Sequence, residues 1–377
     1  MKKSAQLQEI TDKKFMRRAL TLAQRAQGDT APNPMVGAVL VRGESIIGEG
    51  WHHLAGSPHA EIEALLDCDR RGNNPKGSTL HVTLEPCSTQ GKTGPCTQAI
   101  LNAGIKTLVV GTIDPNPNHV GRGLTFLSSA GINIRHSSLE PEARELNAAF
   151  NHWIVKGRPL VTIKAAMTLD GKIATATGES QWITGELARR EGMKLRRCAQ
   201  AILVGVNTIV TDDPSLTYRL GRQSNSHPLR RFVLDPSGRT PLDSKVVKDN
   251  HRSLTTIVVN QSASRKRIQA LMANVNVWIC PEEKTLDLDW VLEKMGKESI
   301  LSLVVEGGGE TNATFLLQGH AQRVRFFYAP IILGGRDAKK GVAGVGVNTL
   351  NEAVQLEAMQ YRWLGNDLML SAHVIAR

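Results

Sequence analysis

Apolar side chains first fall into a helical rhythm at Phe15, Ala19, Leu22, Ala23 and Ala26, and the rhythm stops at Gly28. That spacing puts the five on one face and predicts an amphipathic helix over 14–27 with a glycine end. Two short apolar runs follow at 35–41 and 45–50, joined through Gly43, and predict a hairpin. Beyond them the pattern predicts a helix over 59–67, a strand over 79–84, a helix over 96–103 and a strand over 107–111. Such alternation fits a layered α/β domain with a largely buried sheet.

A helical segment near 147 runs into Lys156, Gly157, Arg158 and Pro159, a cluster of breakers that fits a domain boundary at 150–158. A fresh strand at 160–166 then opens a second α/β region, with further strands at 201–205, 231–235, 255–260 and 301–306. We write the two domains as 1–152 and 153–377. A chain of 377 residues is too long for one ordinary core and comfortable as two.

Composition narrows the class. No stretch approaches the roughly 18 to 20 apolar residues of a membrane span, and the opening MKKSAQLQEITDKK lacks the apolar core of a signal peptide, so a cytoplasmic protein with no membrane partner is expected. Five cysteines, an odd number, argue for reduced thiols used as ligands or core filler. Cys68, Cys198 and Cys280 need no special role, whereas Cys87 and Cys96 do. The net charge of +11 is spread along the chain without a basic block or interleaved aromatics. That distribution favours anionic small substrates such as phosphates over nucleic acid. No internal repeat is visible.

The strongest chemical signal is His59-Ala60-Glu61, then Glu85-Pro86-Cys87 and, after eight further residues, Cys96. One imidazole and two thiolates fill three corners of a tetrahedral zinc site, leaving the fourth for water, whose pKa zinc lowers toward neutrality. Glu61 can then carry the proton from water to a ring nitrogen and on to departing ammonia. This H-x-E with P-C-x-x-C resembles the cytidine-deaminase superfamily signature, with a longer spacing between the cysteines. The inserted Gly91-Lys92-Thr93-Gly94-Pro95 predicts a rim loop. Lys92 reads either as a contact to a phosphorylated substrate or as a solvated lysine at a turn.

The second region says less. Glu306-Gly307-Gly308-Gly309, between an apolar strand and a helical stretch, reads either as a phosphate-binding turn or as a flexible connection, and it is not the G-x-G-x-x-G fingerprint. Asp212-Asp213-Pro214-Ser215-Leu216-Thr217, followed by Arg219, reads as a polar loop.

The runs Pro32-Asn33-Pro34-Met35-Val36-Gly37, Gly48-Glu49-Gly50-Trp51-His52, Thr83-Leu84-Glu85-Pro86-Cys87 and Asp114-Pro115-Asn116-Pro117 resemble the bifunctional deaminase/reductase family of riboflavin biosynthesis. The resemblance extends through Asp170-Gly171-Lys172, Gly178-Glu179-Ser180-Gln181-Trp182-Ile183-Thr184 and Val305-Glu306-Gly307-Gly308, covering nearly the whole chain. It implies an N-terminal cytidine-deaminase-like three-layer domain that deaminates a diaminopyrimidinone ribosylamino 5′-phosphate. It implies also a dihydrofolate-reductase-like α/β domain that uses NADPH to reduce ribosyl to ribityl.

Residue by residue, the resemblance puts Zn2+ on His59, Cys87 and Cys96, with Glu61 as proton shuttle, and puts the deaminase substrate on Asn33, His52, Lys92 and Asn116. In the second domain it puts substrate on Ser180, Arg196, Leu216, Arg219 and Glu306. NADPH falls on Ala166, Trp182, Thr208, Asp212 and the loop Gly308, Gly309, Glu310, Thr311, Asn312, Ala313 and Thr314. Asp212 is the ionisable member of that set and hence the expected proton donor. Thr89 stands where the common family pattern has histidine. A homo-oligomer, at least a dimer, is expected, and no clamp for the 2′-phosphate of NADPH can be read from the pattern. Two alternatives are a deaminase of a base in RNA, which needs a basic, aromatic-lined channel, and a deaminase with a non-catalytic C-terminal module, which consumes no NADPH.

Overall fold

The structure, a computed structural model, describes residues 2–89, 94–221, 228–282 and 285–376. The chain divides into two compact units, Met1–Gly157 and Arg158–Arg377.

In the first unit, helix α1 (Lys2–Ala23) precedes the hairpin β1 (Gly37–Arg42) and β2 (Ser45–Trp51). Then come α2 (Ala60–Arg70), β3 (Thr79–Val82), α3 (Cys96–Asn102), β4 (Thr107–Val110), α4 (Arg122–Ser129), β5 (Asn133–His136), α5 (Glu140–Leu146) and α6 (Ala148–Lys156). The strands form one sheet in the order β2-β1-β3-β4-β5. β1 pairs antiparallel with β2 and β3, and β3, β4 and β5 are parallel.

Both faces of this sheet are covered, which makes three layers. Along β1, Ala38 and Leu40 pack with Ala60, Ala64, Ile100 and Leu127 of the helices on one side. Val39 and Val41 pack with Phe15, Met16, Ala19 and Leu22 of α1 on the other. A doubly covered strand is apolar at successive positions, which is why its sequence shows an unbroken run. The contact with α1 is close: a Cβ on Gly37 would lie 2.0 Å from the Ala19 carbonyl oxygen, so only glycine fits. α1 starts well before the predicted residue 14 because its early turns carry no apolar stripe; Leu7 and Ile10 are exposed.

The second unit runs β6 (Leu160–Thr168), β7 (Lys172–Ala174), α7 (Glu186–Cys198), β8 (Ala201–Gly205), α8 (Val206–Asp212), β9 (Arg230–Leu234), α9 (Lys245–Lys248) and β10 (Thr255–Asn260). It continues with α10 (Arg265–Met272), β11 (Asn276–Cys280), α11 (Leu288–Lys297), β12 (Ser302–Val305), α12 (Gly309–Leu317), β13 (Arg323–Ala329), β14 (Lys339–Lys340), β15 (Leu356–Leu364) and β16 (Asp367–Val374). Nine of these strands make one sheet in the order β11-β10-β9-β8-β12-β6-β13-β16-β15, and β14 pairs with β7 separately.

From β11 to β13 the large sheet is parallel; β16 and β15 add antiparallel strands at one end. Its two faces bury separate clusters, one around Ile163, Phe232, Leu303 and Phe315 and the other around Ile202, Val233, Ile257 and Val259. Among the described residues no helix is long and apolar enough to cross a membrane.

Candidate active sites in the two units

The first site gathers at the starts of two helices. His59 is the extended residue immediately before α2, and Cys96 is the first residue of α3. Cys87 lies in the turn after β3. His59 Nδ1 is 3.2 Å from Cys96 Sγ and 3.5 Å from Cys87 Sγ, and the Cys96 amide donates to Cys87 Sγ at 3.4 Å. A tetrahedral zinc with Zn–N near 2.0 Å and Zn–S near 2.3 Å sets its nitrogen and sulfur ligands about 3.5 Å apart. The three donor atoms all lie within 4.8 Å of one another, so the trio fits zinc. The Cys96 hydrogen bond and His59 pull the Cys87 thiol down to about 4, while Cys87 and burial push Cys96 up.

Glu61, in the first turn of α2, is only 3 % exposed. Burial, reinforced by Cys87, pushes its carboxyl up to about 7, and it stands close enough to Cys96 to accept a hydrogen bond from the thiol. A carboxyl near neutrality both takes and gives a proton readily. His52 is buried, and its Nδ1 bonds the Pro58 carbonyl at 3.1 Å. Nδ1 therefore carries the hydrogen, and Nε2 accepts from Asn33 Nδ2 at 3.1 Å. Burial depresses the His52 pKa, in keeping with that neutral form. The His52 ring meets the His59 ring edge to face at 5.4 Å, which places the Asn33–His52 pair beside the metal ligands.

Asn116 sits in the loop after β4, where its amide donates to Asp114 Oδ1 at 2.9 Å and its own Oδ1 accepts from the Asn118 amide at 3.0 Å. Sequence reasoning missed what fastens that loop. The buried Glu85 carboxylate accepts from the backbone amides of Asp114 (3.2 Å), Gly121 (3.0 Å), Gly123 (2.9 Å) and Leu124 (3.3 Å). Glu85 thus ties the Asn116 loop and the start of α4 to the turn that carries Cys87. Thr89 is exposed, with its hydroxyl 3.5 Å from His119 Nδ1. Lys92 lies outside the described residues.

In the second unit a cavity of about 820 Å³ opens at the carboxyl ends of β8, β9 and β12. Thr208 and Asp212 line it from α8, and Gly308, Gly309, Glu310, Thr311 and Thr314 from the glycine turn and the first turns of α12. Ser180 is on its wall as well. Asn312 and Ala313 face the other way: they are 0 % and 1 % exposed, and Asn312 Nδ2 donates to the Gly341 carbonyl at 2.8 Å. Ala166 is half-buried on β6, and Trp182 is 67 % exposed beneath the Arg189 guanidinium; neither lines the cavity.

The glycine turn is steric. A Cβ on Gly309 would lie 2.2 Å from the Lys340 carbonyl oxygen, whereas one on Gly308 would meet nothing within 4 Å. No side chain caps α12, so its first amides and its dipole are open to an anion. An uncapped helix start in a cavity of this size fits a phosphorylated dinucleotide.

Beside it, Arg196 Nε and Nη2 donate to Glu306 Oε1 and Oε2 at 2.8 and 3.0 Å, and Arg196 Nη1 to the Thr217 carbonyl at 2.9 Å. Lys164 Nζ adds a contact to Glu306 Oε2 at 3.4 Å. Burial alone would raise the Glu306 pKa, but Arg196 and Lys164 outweigh it and hold the carboxyl at about 2. Lys164 escaped the sequence reading; its one signal is a lone charge within the apolar run of β6.

Leu216 is not part of an exposed polar loop. Its side chain is buried with Val206 and Ile209, its φ is +50°, and it does not line the cavity. The buried Arg231 fixes that stretch by donating to the Ser215 carbonyl at 2.9 Å. Arg219 is exposed, and partial burial raises the Asp212 pKa.

Fold and sites together define a zinc-dependent deaminase of the cytidine-deaminase type joined to a nicotinamide-dependent reductase with a dihydrofolate-reductase-like sheet. Residues 9–112 match the cytidine and deoxycytidylate deaminase zinc-binding region, and residues 159–370 match the RibD C-terminal domain. The chain is 42 % identical over 359 residues to the riboflavin biosynthesis protein RibD of Aquifex aeolicus strain VF5, covering 95 % of this chain and 97 % of that one. It is 38 % identical to RibD of Escherichia coli K12, covering 96 % and 99 %.

The solved Acinetobacter baumannii RibD, form 1, superposes with a TM-score of 0.84 at 31 % identity, over 97 % of this chain and 99 % of that one. A Thermotoga maritima structure described as a diaminohydroxyphosphoribosylaminopyrimidine deaminase/5-amino-6-(5-phosphoribosylamino)uracil reductase does so at 0.84 and 32 %, over 98 % and 100 %. The chain belongs to the RibD family, the bifunctional deaminase/reductases of riboflavin biosynthesis, with zinc in the deaminase unit and NADPH in the reductase unit.

Proposed function

We propose that the first unit hydrolyses the exocyclic amine of 2,5-diamino-6-ribosylamino-4(3H)-pyrimidinone 5′-phosphate and that the second reduces the ribosyl group of the product to ribityl. The observation that carries the reading is the His59, Cys87 and Cys96 trio with the buried Glu61 beside it. Zinc held by those three residues supplies a Lewis acid that eases the ionisation of water. Glu61 takes the proton from water, passes it to the ring nitrogen and then to the leaving amine, so that water and the amine become a ring carbonyl and ammonia. Asn33, oriented by His52, and Asn116 offer donor and acceptor edges to the pyrimidinone.

NADPH held in the second unit would supply the hydride that C1′ of the ribosyl group takes up as its C1′–O4′ bond opens and O4′ gains a proton. Asp212 is the proposed source of that proton. Arg196 already directs three donors at Glu306 and Thr217, so Arg219 is the freer cation for the 5′-phosphate. We infer further a cytoplasmic homo-oligomer. Support for association comes from β15, a sheet-edge strand on which Met359, Tyr361 and Trp363 are exposed.

The test is an assay of zinc-loaded protein with the pyrimidinone ribosylamino phosphate, following ammonia release and NADPH oxidation together. Both signals are expected, with oxidation dependent on prior deamination. Ammonia alone would refute the reductase half, and neither signal would refute the substrate assignment.

A further inference from the structure

We propose that Arg239 binds the 2′-phosphate of NADPH and is the residue by which the second unit distinguishes NADPH from NADH. The inference rests on the large cavity of that unit being the NADPH site. Its direction comes from the sheet order β6-β12-β8-β9, in which β12, β8 and β9 end at the cavity and β6 lies next beyond β12. We take the reacting end to be on the β6 side, where Lys164 meets the Arg196–Glu306 pair. The uncapped start of α12, directly after β12, suits the pyrophosphate. That leaves the far end, at β9, for the adenosine half, between the apolar walls of Leu234, Pro236 and Leu286. Three steps between neighbouring strands at about 4.8 Å each amount to about 14 Å, a length comparable to the two halves of a dinucleotide laid end to end.

Arg239 is the cation at this end among the described residues that line the cavity. Lys339 and Lys340 line it too, but they belong to β14, which pairs with β7 at the reacting end. Arg239 stands on a turn built to hold it still. The fully buried Asp235 carboxylate accepts from the Arg239 amide at 2.9 Å, the Thr240 amide at 2.6 Å and the Thr240 hydroxyl at 2.7 Å. Gly238, at φ +72°, makes the bend. Arg267 of α10 pins the carbonyls of Gly238 and Thr240 at 2.8 and 2.6 Å. The Arg239 guanidinium then reaches Asn207 Oδ1 at 2.9 Å, next to Thr208 on the cavity wall. Among the described residues no carboxylate pairs with it, so its remaining N–H groups are available to an anion.

The local acid explains the direction of preference. A site that prefers NADH places a carboxylate at a strand end to accept from the free ribose hydroxyls. Here the strand-end carboxylate after β9 is Asp235, and its oxygens are taken up by the turn. The group left facing the ribose is a guanidinium, which suits a phosphate dianion and has no acceptor to offer a diol.

The experiment is calorimetric titration of the full, zinc-loaded protein with NADPH, NADH and adenosine 2′,5′-bisphosphate, for the wild type, Arg239→Ala and Arg239→Lys. Wild-type protein is expected to bind NADPH more tightly than NADH. Arg239→Ala should weaken NADPH and the bisphosphate by about tenfold to a hundredfold and leave NADH unchanged, with Arg239→Lys in between. Unchanged NADH binding also shows that the variant is folded. Discrimination that survives Arg239→Ala, or equal weakening of both cofactors, would overturn the proposal while leaving the NADPH site in place. Wild-type protein that binds neither cofactor would overturn the cavity assignment and this inference with it.

Discussion

Replacing Glu306 by Gln tests whether the ion cluster beside the cofactor cavity is charged in the folded protein. Glu306 falls from an ordinary value of 4.5 to about 2 between Arg196 and Lys164. That difference, at about 1.4 kcal/mol per unit, corresponds to about 3 kcal/mol. The side chain is only 10 % exposed, so solvent screens little of it, and removing one partner of a buried pair costs about 3–5 kcal/mol by precedent. The folded-state pKa lies below the unfolded one, so the contribution is complete above about pH 5 and fades as pH falls toward 2. The gap between wild type and Glu306→Gln should therefore be about 3 kcal/mol at pH 7 and about 1 kcal/mol at pH 3, where the protonated carboxyl resembles the amide. In a unit the size of Arg158–Arg377, about 3 kcal/mol lowers Tm by about 6–12 °C. Differential scanning calorimetry reads this directly, since the transition that NADPH raises belongs to the reductase unit. A gap below 1 kcal/mol at pH 7, or one that does not change with pH, would show that Glu306 is not the charged hub of this cluster.

Other perturbations separate the two sites. His59→Ala should lose zinc, measured by elemental analysis, and ammonia release, while still binding NADPH; full zinc and full deamination would mean the ligand set is wrong. Glu61→Gln should keep its zinc and slow deamination by about 10²–10⁴-fold, and a rate near wild type would remove Glu61 from proton transfer. Asp212→Asn should cut ribosyl reduction and spare ammonia release; unchanged reduction would exclude it as the proton donor. Gly309→Ala drives a Cβ to 2.2 Å from the Lys340 carbonyl, so NADPH affinity should fall and stability drop by about 1–3 kcal/mol. Unaltered cofactor binding would show that β14 can give way.

How far the sequence reaches depends on where each signal is stored. The strands at 201–205 and 255–260 emerge with the predicted ends because both faces of the parallel sheet are buried and the apolar runs are unbroken. β15 leaves no such trace: seven of its nine residues are exposed, and its place at the sheet edge is set by pairing with β16. The zinc trio was legible because its residue types are chemically rare in that order, and the structure brings those donors together. Glu85 was not, because its partners are backbone amides in a distant loop, which have no sequence identity to read, and Arg231 was not, because Asp249, Thr255 and the Ser215 carbonyl meet it only in the folded chain. Asn312 and Ala313 came with a contiguous loop taken from resemblance, yet a helix turns successive residues to different sides, and these two point inward. The Arg239 turn looks like an ordinary connection until Asp235, Arg267 and Asn207 are seen converging on it.

The two sheets also set different timetables for a chain emerging from the ribosome. In the first unit β2 pairs with β1, β3 takes the other edge of β1, and β4 and β5 each add beside the strand already in place. That unit can close stepwise as it is made. β6 opens the second unit but lies between β12 and β13, so both of its edges stay unpaired until residues 302–329 have been synthesised. For most of the translation of the second half, the chain therefore carries a folded metal-binding head followed by an apolar strand with no neighbour. Such a strand is the sort of segment that chaperones cover and that seeds aggregation when translation stalls.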